Sequence, residues 1–468
     1  MKPSPISKQL SLHSVPLNTF LDPLHELVLL AMILNWKALE TRFGAQFKTG
    51  RGRPPVATRV MVALHLLKYL YDESDESLIA RFVENPYWQH FCGFHEFQRE
   101  APCDSSSLTR WRRRMGEDIE AILRESLSAA KFAGMVKAED FTTAILDTTV
   151  QEKAVTPPTD GKLLYKIHRR LLKEARARGI EIGRPWLRKA KECMVAHARL
   201  RHGKKHKDAK KKLARMRTYL RRLERQVAND YVRLDETLVQ LLRMARTLRL
   251  QSRGLVPAKE KIYSVHAPEV ECIGKGKQHK KWEFGVKVSL AVTAKPHPLV
   301  MAVRAMPDAP YDAATMKPTL DKCKEMTGEA VTLATADKGY RGEAYRMKDV
   351  ALYISGTRKL GGKLKKFMRR RSAIEPVIGH AKESHKMRRN RLLGEIGDQV
   401  NALMSGAAWN LAQLMRWLGS HPKAAARLLL AFARLMRLLA RLALASMREQ
   451  VREALDRLTR PASQPAAA

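Results

Sequence analysis

The sequence predicts an α/β protein: a mixed sheet flanked by helices, with an N-terminal helical domain, a large basic helical insertion and C-terminal helices. Three observations predict it. Apolar residues recur at helical spacing through residues 22–132, and the last stretch of the chain is rich in Ala, Leu and Arg in the same rhythm. Between them lie β-branched runs, "FTTAILDTTVQEKAV", "WEFGVKVSLAVT" and "LVMAVRAM", followed by runs that alternate with amphipathic stretches. A strongly basic segment, residues 161–255, interrupts that region after its first β run.

"VATRVMVALHLLKYLYDES" reads as a helix introduced by Pro54 and Pro55. "ESLIARFVENPYWQHFCGF" gives a second helical stretch, broken at Asn85-Pro86, whose Tyr87, Trp88 and Phe91 read as core. A third, "CDSSSLTRWRRRMGEDIEAIL", is capped by Asp104 or Ser105 and carries Arg110, Arg112 and Arg113. It reads either as the recognition helix of a helix-turn-helix unit or as a solvated basic face. Upstream, "TGRGRPP" sets Arg51 and Arg53 about a glycine, as in arginines that enter a minor groove. The prolines that follow also suit a plain helix start.

With the insertion set aside, the remaining order is strand, strand, strand, helix, strand, helix, strand, helix. Short links join the first three as an antiparallel meander, and the later alternation suits parallel crossovers. The insertion's "RLRHGKKHKDAKKKLARMRTYLRRLERQV" has the charge density of a solvated helical hairpin. Expected domains are 1–135 (helical, DNA-facing), 136–160 with 256–400 (the sheet), 161–255 (the insertion) and 401–468 (C-terminal helices).

Lys and Arg total 87 against 47 Asp and Glu, a net charge of +40. Such an excess calls for a polyanionic partner, double-stranded DNA before an anionic membrane surface. No uncharged apolar run is long enough to span a bilayer, and the N-terminus lacks the apolar core of a signal peptide. The five cysteines are scattered without CxxC spacing, so disulfides and a zinc site are not expected. These features predict a cytoplasmic protein associated with the nucleoid.

Three acids stand out. Asp147 interrupts the first β run, where a charge is disfavoured unless it serves something. Asp337, in "TADKGYRGEAY", ends a strand, where open α/β sheets place functional groups; the alternative is the cap of the next helix. If the first and fourth strands are neighbours, these two aspartates meet at one sheet edge. Glu375 lies on a helix with Arg371 about −40° away, Lys382 at about −20° and Lys386 at about +20°, at 100° per residue. Ala373, Ile374, Val377 and Ala381 take the other side. The alternative for that stripe is a surface salt-bridge ladder. Carboxylates from separate elements suit two Mg²⁺ ions acting on a phosphodiester, with the cations beside Glu375 holding substrate phosphates.

"AILDTTV", "TADKGYRG" and "RRRSAIEPVIGHAK" together resemble the DDE transposases of bacterial insertion sequences, in the group of insertion-sequence four and five elements. "GRPPVATRVMVALHLLKYLYDESDESL" and "KQHKKWEFGVKVSLA" look like that family's helical N-terminal domain and second strand, so the resemblance covers roughly residues 45–415. It implies a ribonuclease H-like catalytic domain with Asp147, Asp337 and Glu375 as the three acids holding two Mg²⁺ or Mn²⁺. It also implies binding of the element's inverted repeats and of target DNA, and a homodimer at synapsis. Arg371, Glu375 and Lys382 fit the family's third motif, whose tyrosine position here holds Met368. The implied activity is cleavage at element ends and strand transfer. The alternatives are a nuclease on the same fold or a DNA-binding protein with a decayed site.

Overall fold

The computed structural model describes residues 16–47, 55–274, 281–342, 345, 347–357 and 361–459. Arg51 and Arg53 lie outside the described residues. The helices before the sheet are α1 (Glu26–Ile33), α2 (Trp36–Gly44), α3 (Thr58–Leu70), α4 (Asp75–Glu84), α5 (Pro86–Cys92), α6 (Ser105–Met115) and α7 (Glu120–Phe132). The insertion carries α8 (Asp160–Ala177), α9 (Leu187–His202), α10 (His206–Asn229) and α11 (Glu236–Gln251). Later come α12 (Met316–Thr327), α13 (Gly362–Arg369), α14 (Ile374–Glu383), α15 (Gly394–Ser420) and α16 (Pro422–Thr459). The strands are β1 (Thr143–Glu152), β2 (Glu271–Gly274), β3 (Trp282–Thr293), β4 (Val300–Met306), β5 (Leu333–Ala336) and β6 (Ala351–Ile354).

The chain forms two compact units. One gathers α1–α6, residues 124–132 of α7, and the chain from 410 through α16. Its helix boundaries follow local chemistry. Ser74 and Ser77 cap α4 reciprocally, and Asn85 accepts from the Trp88 N–H at 3.1 Å to start α5, with Pro86 as its first residue. Trp88 and Phe91 are buried, as expected, whereas Tyr87 is only half-buried.

The other unit holds the sheet, the insertion and α12–α14. β3 is the longest strand. It pairs antiparallel with β1 along one edge, and with β2 and then β4 along the other. β1 pairs parallel with β5, and β5 parallel with β6. The antiparallel meander followed by parallel crossovers is therefore the one expected, and β1 and β5 are neighbours. Four-residue β2 adds a strand to that expectation. Its "ECIG" has too short an alternation to register as a strand on its own.

The insertion differs from expectation in one respect. The basic hairpin is real, α9–α10, but it is half of a four-helix body with its own core. Leu213, Met216, Leu220, Leu223 and Val227 of α10 share one buried apolar cluster with Leu164, Ile167 and Leu171 of α8. Long lysine and arginine stems hide this stripe in the composition while leaving its 3.6-residue period intact. Among the described residues, no helix is long and apolar enough to cross a membrane.

Candidate active site

The β1–β5 ladder pairs Thr143 with Leu333, Ala144 with Ala334 and Ile145 with Thr335. The same offset, carried two residues on, sets Asp337 level with Asp147. Paired residues of parallel strands face the same side, and alternation sends positions 145, 147, 149 and 151 of β1 to one face. Gln151 marks that face: its amide donates to the Asp398 carbonyl at 3.0 Å and its Oε1 accepts from Asn401, both in α15. On β5, Thr335 marks it again by donating to the Met368 thioether of α13 at 3.1 Å. Helix α14 packs on β1 through buried Ile374, Val377 and Ala381. Asp147 lies on β1, Asp337 directly follows β5, and the helix bearing Glu375 packs on β1.

Each acid has a local partner. Asp147 Oδ1 accepts from the Thr148 N–H at 2.7 Å. Asp337 Oδ1 accepts from the Gly339 N–H at 2.8 Å and caps the 3₁₀ turn Lys338–Tyr340. The cap anticipated as the alternative for Asp337 is therefore present, and it engages one of the two carboxylate oxygens. Glu375 forms an ion pair with Arg371 at 3.3 Å, with the Glu375 side chain 61% exposed. Pro376 sits in the first turn of α14, where it lacks the N–H needed to continue the helix backwards. Residues 370–373 form a separate 3₁₀ turn instead, so Arg371 lies off the helix but still reaches Glu375.

Lys386 needs correction. α14 ends at Glu383, and Lys386 has φ +66°, so the helical stripe does not extend to it. Lys382 remains on the helix.

Carboxylate oxygens are the right donor type for a hard divalent cation. Asp147 on β1 and Asp337 in the turn after β5 both carry that donor type. Among the described residues, no group of three or more His, Cys, Asp or Glu is gathered as a metal cluster. Behind the pair, Tyr340 is buried, and burial pushes its phenol above its ordinary value, with Asp147 and Asp312 adding to the effect. It stays protonated.

Residues 15–114 match the family described as Transposase domain (DUF772), and residues 263–411 match the Transposase DDE domain. The second match holds both Asp337 and Glu375 and every strand except β1. The chain is a member of the DDE transposase family. These are phosphoryl-transfer enzymes that act in transposition, bind DNA and generally use a divalent metal. The transposase is also 41% identical over 206 residues to a Rhizobium meliloti protein, "Uncharacterized protein ORF8 in nfe locus", an alignment covering 44% of this chain and 99% of that one. No solved structure matches it.

The arginines of the transposase's α6 divide sharply. Arg110 and Arg113 are exposed. Arg112 is 6% exposed and grips Asp75 with both guanidinium arms, at 2.9 and 2.5 Å. It cannot also contact DNA, which corrects its reading as a residue of a recognition helix or of a solvated face. The cause is helical spacing: Leu108, Trp111, Arg112 and Met115 form the buried face of α6. Lys68 completes the arrangement at 2.5 Å from Asp75. Burial pushes the Asp75 carboxyl up, but Arg112 and Lys68 outweigh it and hold the group well below the usual range. His65, alongside, is pushed down to about 3 by burial first and by Arg112 second.

One candidate that the sequence did not single out is Asp312. It stands at a strand-to-helix junction in "DAPYDAATMK", beside the same end of the sheet as Asp337. That location was the available signal.

Proposed function

We propose that this transposase cleaves DNA at the ends of its mobile element and joins the freed 3′ ends to target DNA, with Asp147, Asp337 and Glu375 as the catalytic acids. The observation that supports the reading is the β1–β5 register, whose offset, extended two residues past the ladder, would bring Asp337 opposite Asp147, with the Glu375 helix packed on β1. The three carboxylates would hold two Mg²⁺ or Mn²⁺ ions. Bound there, such ions activate a water or 3′-hydroxyl and stabilise the leaving oxygen of the phosphodiester.

The chain's own side chains supply the rest. Asp147 is held by its strand and Asp337 by its cap, which limits rotation of both carboxylates. Arg371 and Lys382 flank Glu375 and bind backbone phosphates of the strand being cut. Arg110 and Arg113 on α6 and the exposed lysines of α9–α10 add sequence-independent phosphate contacts. Strand transfer of two ends together calls for a homodimer. The test is a strand-transfer assay on paired DNA ends taken from the sequence flanking the gene. Joined products dependent on Mg²⁺ support the reading; cleavage without joining makes the protein a nuclease.

A further inference from the structure

We propose that Asp312 is a positioning residue that holds the Asp337 turn in place against β1, an inference that rests on reading Asp147 and Asp337 as the metal-binding pair. The ladder between β1 and β5 ends at Ile145 and Thr335, two residues short of both acids. Backbone hydrogen bonds of that ladder therefore do not reach the positions whose separation matters. Asp312 spans the gap. Its Oδ1 accepts from Thr148 Oγ1 at 2.8 Å, the residue after Asp147, and from Lys287 Nζ on β3 at 2.9 Å. Lys287 also donates to the Pro310 carbonyl at 2.6 Å, so the cation that neutralises Asp312 is itself fixed.

The other carboxylate oxygen faces the Asp337 turn. A Cβ placed on Gly339 would lie 2.7 Å from Asp312 Oδ2 and 3.0 Å from Asp337 Oδ1. The two oxygens are thus separated by no more than the sum of those distances, and the glycine lets the turn close onto Asp312. Local capping does not explain the side chain. The turn that begins at Asp312 is closed by its backbone carbonyl, which accepts from Thr315 Oγ1 at 2.7 Å. The carboxylate is bonded instead to β1 and β3 through Oδ1, while Oδ2 packs against the Asp337 turn at Gly339.

The test is Mn²⁺ titration of the full-length protein, followed by electron paramagnetic resonance of the free ion, with thermal melting in parallel. Asp312→Ala is expected to weaken Mn²⁺ binding by about 10-fold or more, the usual effect of losing a group that orients a metal ligand. Asp312→Asn keeps an oxygen for Thr148 and should stay within about 3-fold of the parent, on the same reasoning. Thr148→Val, nearly the same size, should shift binding in the direction of Asp312→Ala and serves if the alanine variant does not fold. Gly339→Ala should also weaken binding, and less so when Asp312 is already alanine. Equal loss in Asp312→Asn and Asp312→Ala would overturn the positioning role, because charge rather than the bridge would then matter. Parent-like binding in Asp312→Ala or in Thr148→Val, while Asp147→Asn and Asp337→Asn lose the ion, would overturn it too and leave the acid pair standing. Parent-like binding in those two asparagine variants would remove the acid pair, and the Asp312 proposal with it.

Discussion

One offset runs through the β1–β5 ladder from Thr143–Leu333 to Ile145–Thr335, and carried two residues past its end that offset would set Asp337 opposite Asp147. Adjacent strands lie about 4.8 Å apart, so two carboxylates placed in that way would be close enough to share cations. Asp147→Asn, Asp337→Asn and Glu375→Gln are each expected to cut Mg²⁺-dependent cleavage by at least roughly 100-fold, since even outer-shell partners of metal ligands commonly cost ~10–100-fold. Binding to duplex DNA should persist, because each change leaves the proposed phosphate-binding cations in place. Gel-shift and cleavage assays on one preparation separate the two effects. A variant cutting at the parental rate would strike its residue from the site.

Arg112 and Arg113 are neighbours in sequence with opposite expected phenotypes. Arg112→Ala leaves Asp75 buried with Lys68 alone, and breaking such a buried pair typically costs about 3–5 kcal/mol. Arg113→Ala, on the exposed side, should alter stability by about 0.5 kcal/mol or less while weakening DNA binding. Denaturant melts and binding isotherms of the two variants check this. Loss of DNA affinity in a fully folded Arg112→Ala protein would contradict the structural assignment.

Much of this was legible in the chain, and the limits have physical causes. The strand order followed from which β runs had short links and which had helices between them. The adjacency of β1 and β5, the strands that lead to the two aspartates, followed from that order. The burial of Arg112 was also written in the spacing of Leu108, Trp111 and Met115, but a run of arginines suggests a solvated face when read by charge alone. Lys386 could not be placed, because the left-handed residue that ends the helical path is a non-glycine with no sequence mark. Asp312 meets Thr148 across 164 positions of chain, and such a contact exists only once the sheet has formed.

His65 gives a pH dependence. Its Nδ1 lies 2.6 Å from the Met61 carbonyl and its Nε2 3.4 Å from Arg112, an arrangement that suits the neutral ring. The folded value of about 3 lies below the unfolded value of about 6.5. The unfolded chain therefore binds a proton that the folded one does not. His65's contribution is fully present above pH ~6.5 and declines as pH falls towards 3, by up to about 1.4 kcal/mol per unit. Replacing His65 with glutamine should flatten stability against pH across that window. Urea melts from roughly pH 4 to roughly pH 8 read the slope directly. An unchanged slope would place the acid sensitivity elsewhere.

The insertion offers the clearest electrostatic test because its fold does not depend on its outer charges. Its core is built from apolar residues of α8, α10 and α11 together with Cys193 of α9. Lys204, Lys205, Lys207, Lys210 and Lys211, by contrast, are all exposed around the α9–α10 turn. Changing all five to glutamine should therefore leave the melting temperature nearly unchanged. If these lysines bind phosphates, every phosphate no longer neutralised keeps its counterions, and the slope of log K against log salt becomes shallower by about 0.9. Affinity should fall for all sequences alike, since phosphate contacts carry no base information. Binding isotherms at several salt concentrations, on an element-end duplex and on an unrelated one, measure both quantities. A slope that stays at the parental value would take the lysines off the DNA and leave the four-helix body as a surface for protein contacts.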